Sequence, residues 1–328
     1  MAILGLAVLA LSIAAAMIIG PADLGIGDVY AVVAQHLWGR PADIAPIDDG
    51  IVWELRLPRA LLAAICGAGL GICGTILQSL MRNPLADPFM LGISSGASTG
   101  AVLVVVAGVG GALTLSSGAF VGAVTAFVLV LALAAAAGGQ DRVVLAGVAG
   151  TQLFSALTSV VVFSSANAQQ TRGVLFWLLG SLGGASWHQV AMCGLVCAAC
   201  LGVCWLQSDA LDAFAFGRDA AAALGVSVRR VRIILLMTTA LLTAVLVSVA
   251  GAIGFVGLVL PHAARMIVGP SHRRLLPVTA VAGAVFLVWV DAAARTVFAP
   301  QELPVGVVTA LVGVPIFMWI LARRKRIR

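Results

Sequence analysis

Cys193, Cys197, Cys200 and Cys204 recur at i, i+4, i+7 and i+11, the spacing that sets four thiols on one helix face. Such a face could ligate a metal or belong to a haem relay. It could equally be a row of small apolar residues that lets helices pack in lipid, and a buried thiol resists the deprotonation that ligation needs, which favours packing. Cys66 and Cys73 sit in another apolar segment, and no disulfide framework is expected. Serines occur in "GISSG" at Gly92 to Gly96, without a histidine and an acid at comparable depth, so acyl transfer is a poor reading. The sole lysine, Lys325, lies in the tail, which excludes a phosphate-binding G-x-x-x-x-G-K-[ST] loop, and no H-E-x-x-H helix is present. Ionisable residues fall at the ends of the apolar segments, so no mid-membrane relay for ion coupling is visible. The chain is expected to perform no covalent chemistry and to hold no permanent cofactor.

The elements that would carry these residues are membrane helices. Hydrophobic residues make up 62% of the 328, charged residues 10%, and the mean hydropathy is +1.13, against roughly 25% charged in a soluble domain. Apolar stretches lie near 2–20, 58–81, 91–109, 114–138, 143–166, 189–207, 228–249, 250–266, 275–294 and 304–322, which predicts an all-α polytopic protein with ten crossings. The pair between Val228 and Met266 is tight for two spans. Arg229, Arg230 and Arg232 before it and Arg265, Arg273 and Arg274 after it put both flanks on the cytoplasmic side. This topology collects fourteen basic residues inside and leaves five outside, Arg40, Arg56, Arg59, Arg172 and Arg295, with both termini cytoplasmic. The net charge of +6 then reflects contact with the inner leaflet, and no nucleic-acid surface is expected. The first apolar run lacks a basic leader and is read as helix one in place of a signal peptide. No linker divides the chain, so residues 1–328 form one transmembrane domain with a basic tail at 323–328.

Several long motifs in order carry a resemblance. They are "LRLPR" at Leu55 to Arg59, "RNPLADPFMLGISSGASTGA" at Arg82 to Ala101, "LAGVAG" at Leu145 to Gly150 and "FWLLGSLGGASW" at Phe176 to Trp187. "GAIGFVGLVLPHAARMIVGPSHRRLLP" at Gly251 to Pro277 and "ELPVGVVTALVGVPIFMWIL" at Glu302 to Leu321 complete the set. Together they resemble the FecCD-type permeases of type II ABC importers, which carry iron siderophores, haem and vitamin B12. The resemblance implies a ten-helix permease in the bacterial inner membrane. It further implies a homodimer with two ABC ATPase subunits below, a periplasmic substrate-binding protein above, and ATP consumed by the partner.

It also implies roles. Asn83 and Leu85 match gate positions at the cytoplasmic end of the second span, Ser94 and Ser95 follow along the pathway, and Gln140 with Asp141 fall near the gate's second half. On spacing alone, "RNPLADP" is equally a capped turn and the Gly and Ser residues equally helix contacts. Arg56, Arg59 and Arg295 match arginines that receive acidic residues of the binding protein. Snorkelling, or a local pair of Arg295 with Asp291, is the other reading. "FGRDAAAALGVSVRR" at Phe216 to Arg230 resembles the coupling helices that enter an ATPase groove, within a loop of about 208–228. There Arg218, Asp219, Ala220, Ala221 and Leu224 would form a small knob ended by Gly225.

The four histidines and one tyrosine make no evident cage for a bare ion, so a bulky chelate is expected. Haem comes first, then ferric siderophores, then cobalamin. Arg172 could meet haem propionates or cap a helix. A passive channel and a secondary transporter are the readings outside this class; the coupling-like loop opposes the first and the missing titratable relay the second.

Overall fold

The structure, a computed structural model, describes residues 2–20, 22, 24–40, 44–106, 114–138, 142–164 and 168–324. Every regular element among them is helical. The order begins α1 (Ala2–Ile18), α2 (Ile26–Trp38), α3 (Pro46–Gly50), a π-helical turn (Ile51–Arg56) and α4 (Leu57–Leu80). A 3₁₀ turn (Pro88–Leu91) leads to α5 (Ile93–Val106), α6 (Leu115–Ala136), α7 (Val143–Ser164), α8 (Ala168–Leu178) and α9 (Trp187–Leu206). The chain ends with α10 (Ser208–Phe214), α11 (Arg218–Ala223), α12 (Val228–Ala250), α13 (Val256–Val268), α14 (His272–Thr296) and α15 (Val305–Arg324).

Six stretches are long and apolar enough to cross a membrane: the continuous run Pro46–Leu80, α6, α7, α9, α12 and α14. The apolar stretches within α1, α5, α13 and α15 are shorter and occupy the other four expected positions. The stretch read as 250–266 is the clearest difference, because α13 starts only at Val256 and has 13 residues. Gly251 adopts a positive φ of 69°, and Phe255 is left-handed at 67°. The freed Ala250 carbonyl instead accepts the Ser181 amide at 2.9 Å. Thirteen residues rise about 20 Å, short of an apolar core of about 30 Å.

Helix α4 is the centre of the bundle and packs on α14, α13, α12 and α9, while α5 lies between α6 and α7. Glycine makes these crossings close. A Cβ on Gly67 would collide with the Gly283 carbonyl of α14, and one on Gly74 with the Gly257 carbonyl of α13. Without a water-driven force between helices in lipid, such backbone contact supplies the packing. The same reasoning answers for "GISSGASTGA": Gly96 and Gly100 seat α5 against Gly118 and Gly122 of α6.

Candidate functional site

At the end of α4 the chain turns sharply. Pro84 and Pro88 prevent a helix from continuing, and Arg82 is left-handed at φ 49°. Asn83 Oδ1 accepts the Leu85 amide and Asp87 Oδ1 the Phe89 amide, each at 2.9 Å, so side chains satisfy the exposed backbone. Leu85 is left exposed. The carboxyl tip of Asp87 is enclosed although the residue as a whole is partly exposed, and burial pushes its pKa up to about 6 against a smaller opposing pull from the Phe89 amide. Ser94 and Ser95 start α5; the Ser95 hydroxyl donates to Gly92 O at 3.0 Å, and Ser94 O accepts from Ser98 at 2.9 Å. The structure thus joins Asn83, Leu85, Ser94 and Ser95 through one 3₁₀ turn. Gln140 and Asp141 lie outside the described residues.

Across a cavity from this turn sits α10, followed by α11. Helix α11 ends in a Schellman motif: Val226 N donates to Ala221 O at 3.0 Å and Gly225 N to Ala222 O at 2.9 Å, with Gly225 at φ 84°. Ala221 is buried, Ala220 partly so and Asp219 exposed, while Phe216 (78% exposed) and Leu224 (69%) present apolar side chains on either side of the short helix. Arg218 opens α11.

The same end holds a cluster that sequence reading missed. Ser79 Oγ lies 2.5 Å from His272 Nε2, and His272 Nδ1 lies 2.5 Å from Asp212 Oδ1 of α10. The His272 amide and the Ser271 hydroxyl also donate to Asp212, at 2.9 and 3.2 Å. Next to it, Gln78 donates to Gly257 O and Leu258 O of α13 and accepts from Arg265 at 2.5 Å. The connectivity is that of a hydrolase triad, yet the neighbouring backbone amides are not free to hold an oxyanion. The amides of Met81, Arg82 and Asn83 are already bonded to Leu77, Ser79 and Gln78 carbonyls. The only local signal was a polar Gln-Ser pair closing a long apolar run; the partners are 133 or more residues away along the chain.

At the opposite end, the exposed rim of arginines expected from sequence is not what forms. Arg56 is buried and donates to the carbonyls of Met17 at 2.6 Å, Ile18 at 3.1 Å and Ala22 at 2.7 Å. Arg295 is buried too, bonded to Ala16 O and Ile19 O and 3.1 Å from Asp291. Arg59 alone reaches the surface, where its Nη1 meets the exposed Glu302 at 2.9 Å. The physical reason is demand for donors: the end of α1 and the turn after it leave carbonyls that a buried guanidinium satisfies. Arg172 is exposed on α8. Nearby, His36 stacks on Trp53 at 4.1 Å and pairs with Asp49, and Trp187 donates to Trp53 O.

The cysteine face is buried as helix packing. Cys197 donates weakly to Ile65 O of α4 and Cys200 to Thr238 O of α12. Among the described residues no three His, Cys, Asp or Glu side chains converge as a metal site.

A helical membrane bundle with this turn, this knob and these motifs can be compared with known proteins. The FecCD transport family matches residues 8–323. The chain belongs to that family. This FecCD permease is 41% identical over 247 residues to the cobalamin import permease BtuC of Halobacterium salinarum, covering 75% of this chain and 66% of that one. It is likewise 41% identical to the hemin transport permease HmuU of Yersinia pestis, covering 74% and 75%. A solved inward-facing ABC transporter of the metal-chelate type superposes with a TM-score of 0.84 at 28% identity, covering 98% of each chain. The protein is therefore a multi-pass, all-helical ABC transporter permease, and its relatives are transport subunits.

Proposed function

We propose that this permease is the membrane subunit of an ATP-driven importer that moves haem across the bacterial inner membrane by alternating access. A second copy would complete the path, two ABC ATPase subunits would sit under α10 and α11, and a substrate-binding protein would dock at the Arg59 end. Both termini would be cytoplasmic. The observation that carries the reading is the α11 knob: two large apolar side chains, Phe216 and Leu224, stand exposed around a capped helix, and Phe216 shares a cavity with Pro84 of the Asn83 to Asp87 turn. Exposed apolar groups on a cytoplasmic protrusion fit a protein partner. For the cargo, two relatives of equal identity are named for hemin and cobalamin, both bulky metal macrocycles. Haem is favoured by the exposed Arg172, suited to a propionate. Cobalamin is the second reading, carried by the archaeal relative.

The test is uptake into proteoliposomes that contain the permease and its cognate ATPase, with loaded binding protein outside and ATP inside. ATP-dependent haem accumulation, lost when Phe216 and Leu224 become Asp, establishes the reading. Accumulation of cobalamin or a ferric siderophore in place of haem overturns the cargo, and flux indifferent to ATP overturns the mechanism.

A further inference from the structure

Three elements meet at one buried imidazole. Asp212 belongs to α10, His272 is the first residue of α14, and Ser79 stands in the last turn of α4, a few residues before the Asn83 to Asp87 turn. We propose that Asp212, His272 and Ser79 form a hydrogen-bonded strut that carries displacement of α10 to the end of α4 and so to that turn. The proposal rests on reading 208–228 as the ATPase contact, and adds the path by which a push there reaches the gate.

The Asp212 end of the strut has a fixed direction. A carboxylate only accepts, so the imidazole presents Nδ1–H to it, while Nε2 meets the Ser79 Oγ, whose hydroxyl also reaches the Thr75 carbonyl at 2.9 Å. The links are short, 2.5 Å on each side, and His272 is only 5% exposed, so the imidazole is held between its two partners. Asp212 is held again by the His272 amide and Ser271 Oγ, which fastens α10 to the start of α14. Helix α10 also packs on α4 and α14 with Leu211 and Phe214 buried, so the strut is the polar member of that contact. Between α10 and the turn lies an open cavity of about 510 Å³, bordered by Pro84, Ala215 and Phe216, with Ser79 and His272 also lining it. Displacement passes through atoms in contact, and across a gap it does not.

The far end is built to turn. Gln78, adjacent to Ser79, is bound to α13 through Gly257, Leu258 and Arg265, which anchors one side of α4 while the strut holds the other. Past Ser79 the chain enters the left-handed Arg82, a conformation that costs a non-glycine residue energy and that recurs at switch segments.

The experiment measures haem uptake and ATP hydrolysis in the same proteoliposomes for wild type, Ser79→Ala, Asp212→Ala, His272→Ala and the double variant S79A/D212A. If haem is not the cargo, whichever chelate accumulates is used. Each single change is expected to lower chelate moved per ATP about fivefold, the worth of one hydrogen bond. The double variant should be no worse than its worse single, because either break opens the same chain. Ser79→Ala removes one hydroxyl; it should melt within a few degrees of wild type and co-purify with the ATPase as wild type does, which separates coupling from folding. Wild-type uptake that ignores ATP overturns the functional reading and the strut with it. ATP-driven uptake with unchanged ratios in Ser79→Ala and Asp212→Ala, or losses that multiply in the double variant, overturns the strut alone.

Discussion

Arg59 Nε donates to Asp291 Oδ1 across 2.9 Å, tying the first turn of α4 to the last third of α14. Asp291 is 1% exposed and also faces Arg295, so one buried carboxylate balances two guanidiniums. Glu302, at the surface, takes the other side of Arg59.

Removing the shared carboxylate should therefore cost far more than removing the exposed one. Asp291→Ala leaves the buried Arg295 without its carboxylate and Arg59 with Glu302 alone, and is expected to destabilise the permease by about 3–5 kcal/mol. Glu302→Gln should change stability by less than about 1 kcal/mol. Unfolding of both variants in detergent, followed by near-ultraviolet circular dichroism, checks the ranking.

The glycine crossings give a pair of opposite signs. Gly67→Ala and Gly74→Ala push a methyl into backbone carbonyls of α14 and α13 that cannot rotate away, at a cost of about 1–3 kcal/mol each. Gly202 of α9 meets nothing within 4 Å, so Gly202→Ala should stabilise by up to about 1 kcal/mol through helix propensity. Melting temperatures of the three variants read this directly.

These contrasts show what the sequence could and could not disclose. Apolar runs and arginine bias set out the helices because each helix signal is local, and the motif order named the family. The break at Gly251 was the local exception: a run of apolar letters conceals a left-handed Phe255. The turn that holds Asn83 and Leu85 was readable because Pro84 and Pro88 mark it by themselves. Arg56 was misplaced at an exposed rim because its partners are main-chain carbonyls of Met17, Ile18 and Ala22, which have no letter of their own. The Ser79, His272 and Asp212 cluster stayed hidden for a related reason: it joins three elements separated by long stretches of chain.

Asp87 should make the turn sensitive to pH. Its carboxyl pKa is raised from 3.8 to about 6, chiefly by burial, so the folded turn favours the neutral acid. Relative to a neutral side chain, stability is complete below 3.8 and is lost as pH rises through about 6. Asp87→Asn keeps an oxygen to accept the Phe89 amide and carries no charge. It should melt higher than wild type above pH 6, with the gap closing toward pH 4. A melting series between pH 4 and pH 8 shows either this convergence or a constant offset, and the offset would remove the titration from the account.

Arg56 and Arg59 stand one helical turn apart, yet substitutions there should act on different properties. Arg56→Ala strips donors from three carbonyls at the end of α1, a loss of about 1–3 kcal/mol for buried groups left unpaired. Its effect should appear as a lower melting temperature, with docking of the binding protein unchanged in the fraction that stays folded. Glu302→Gln does the reverse. It releases the exposed side of Arg59 without disturbing Asp291, freeing a guanidinium edge for a partner's carboxylate. Association of the binding protein should then become faster and more salt-sensitive, since rim charges act mainly on the encounter rate. Surface plasmon resonance at two ionic strengths distinguishes the cases. Faster association in Glu302→Gln assigns docking to Arg59, whereas slower association in a normally melting Arg56→Ala would return that role to Arg56.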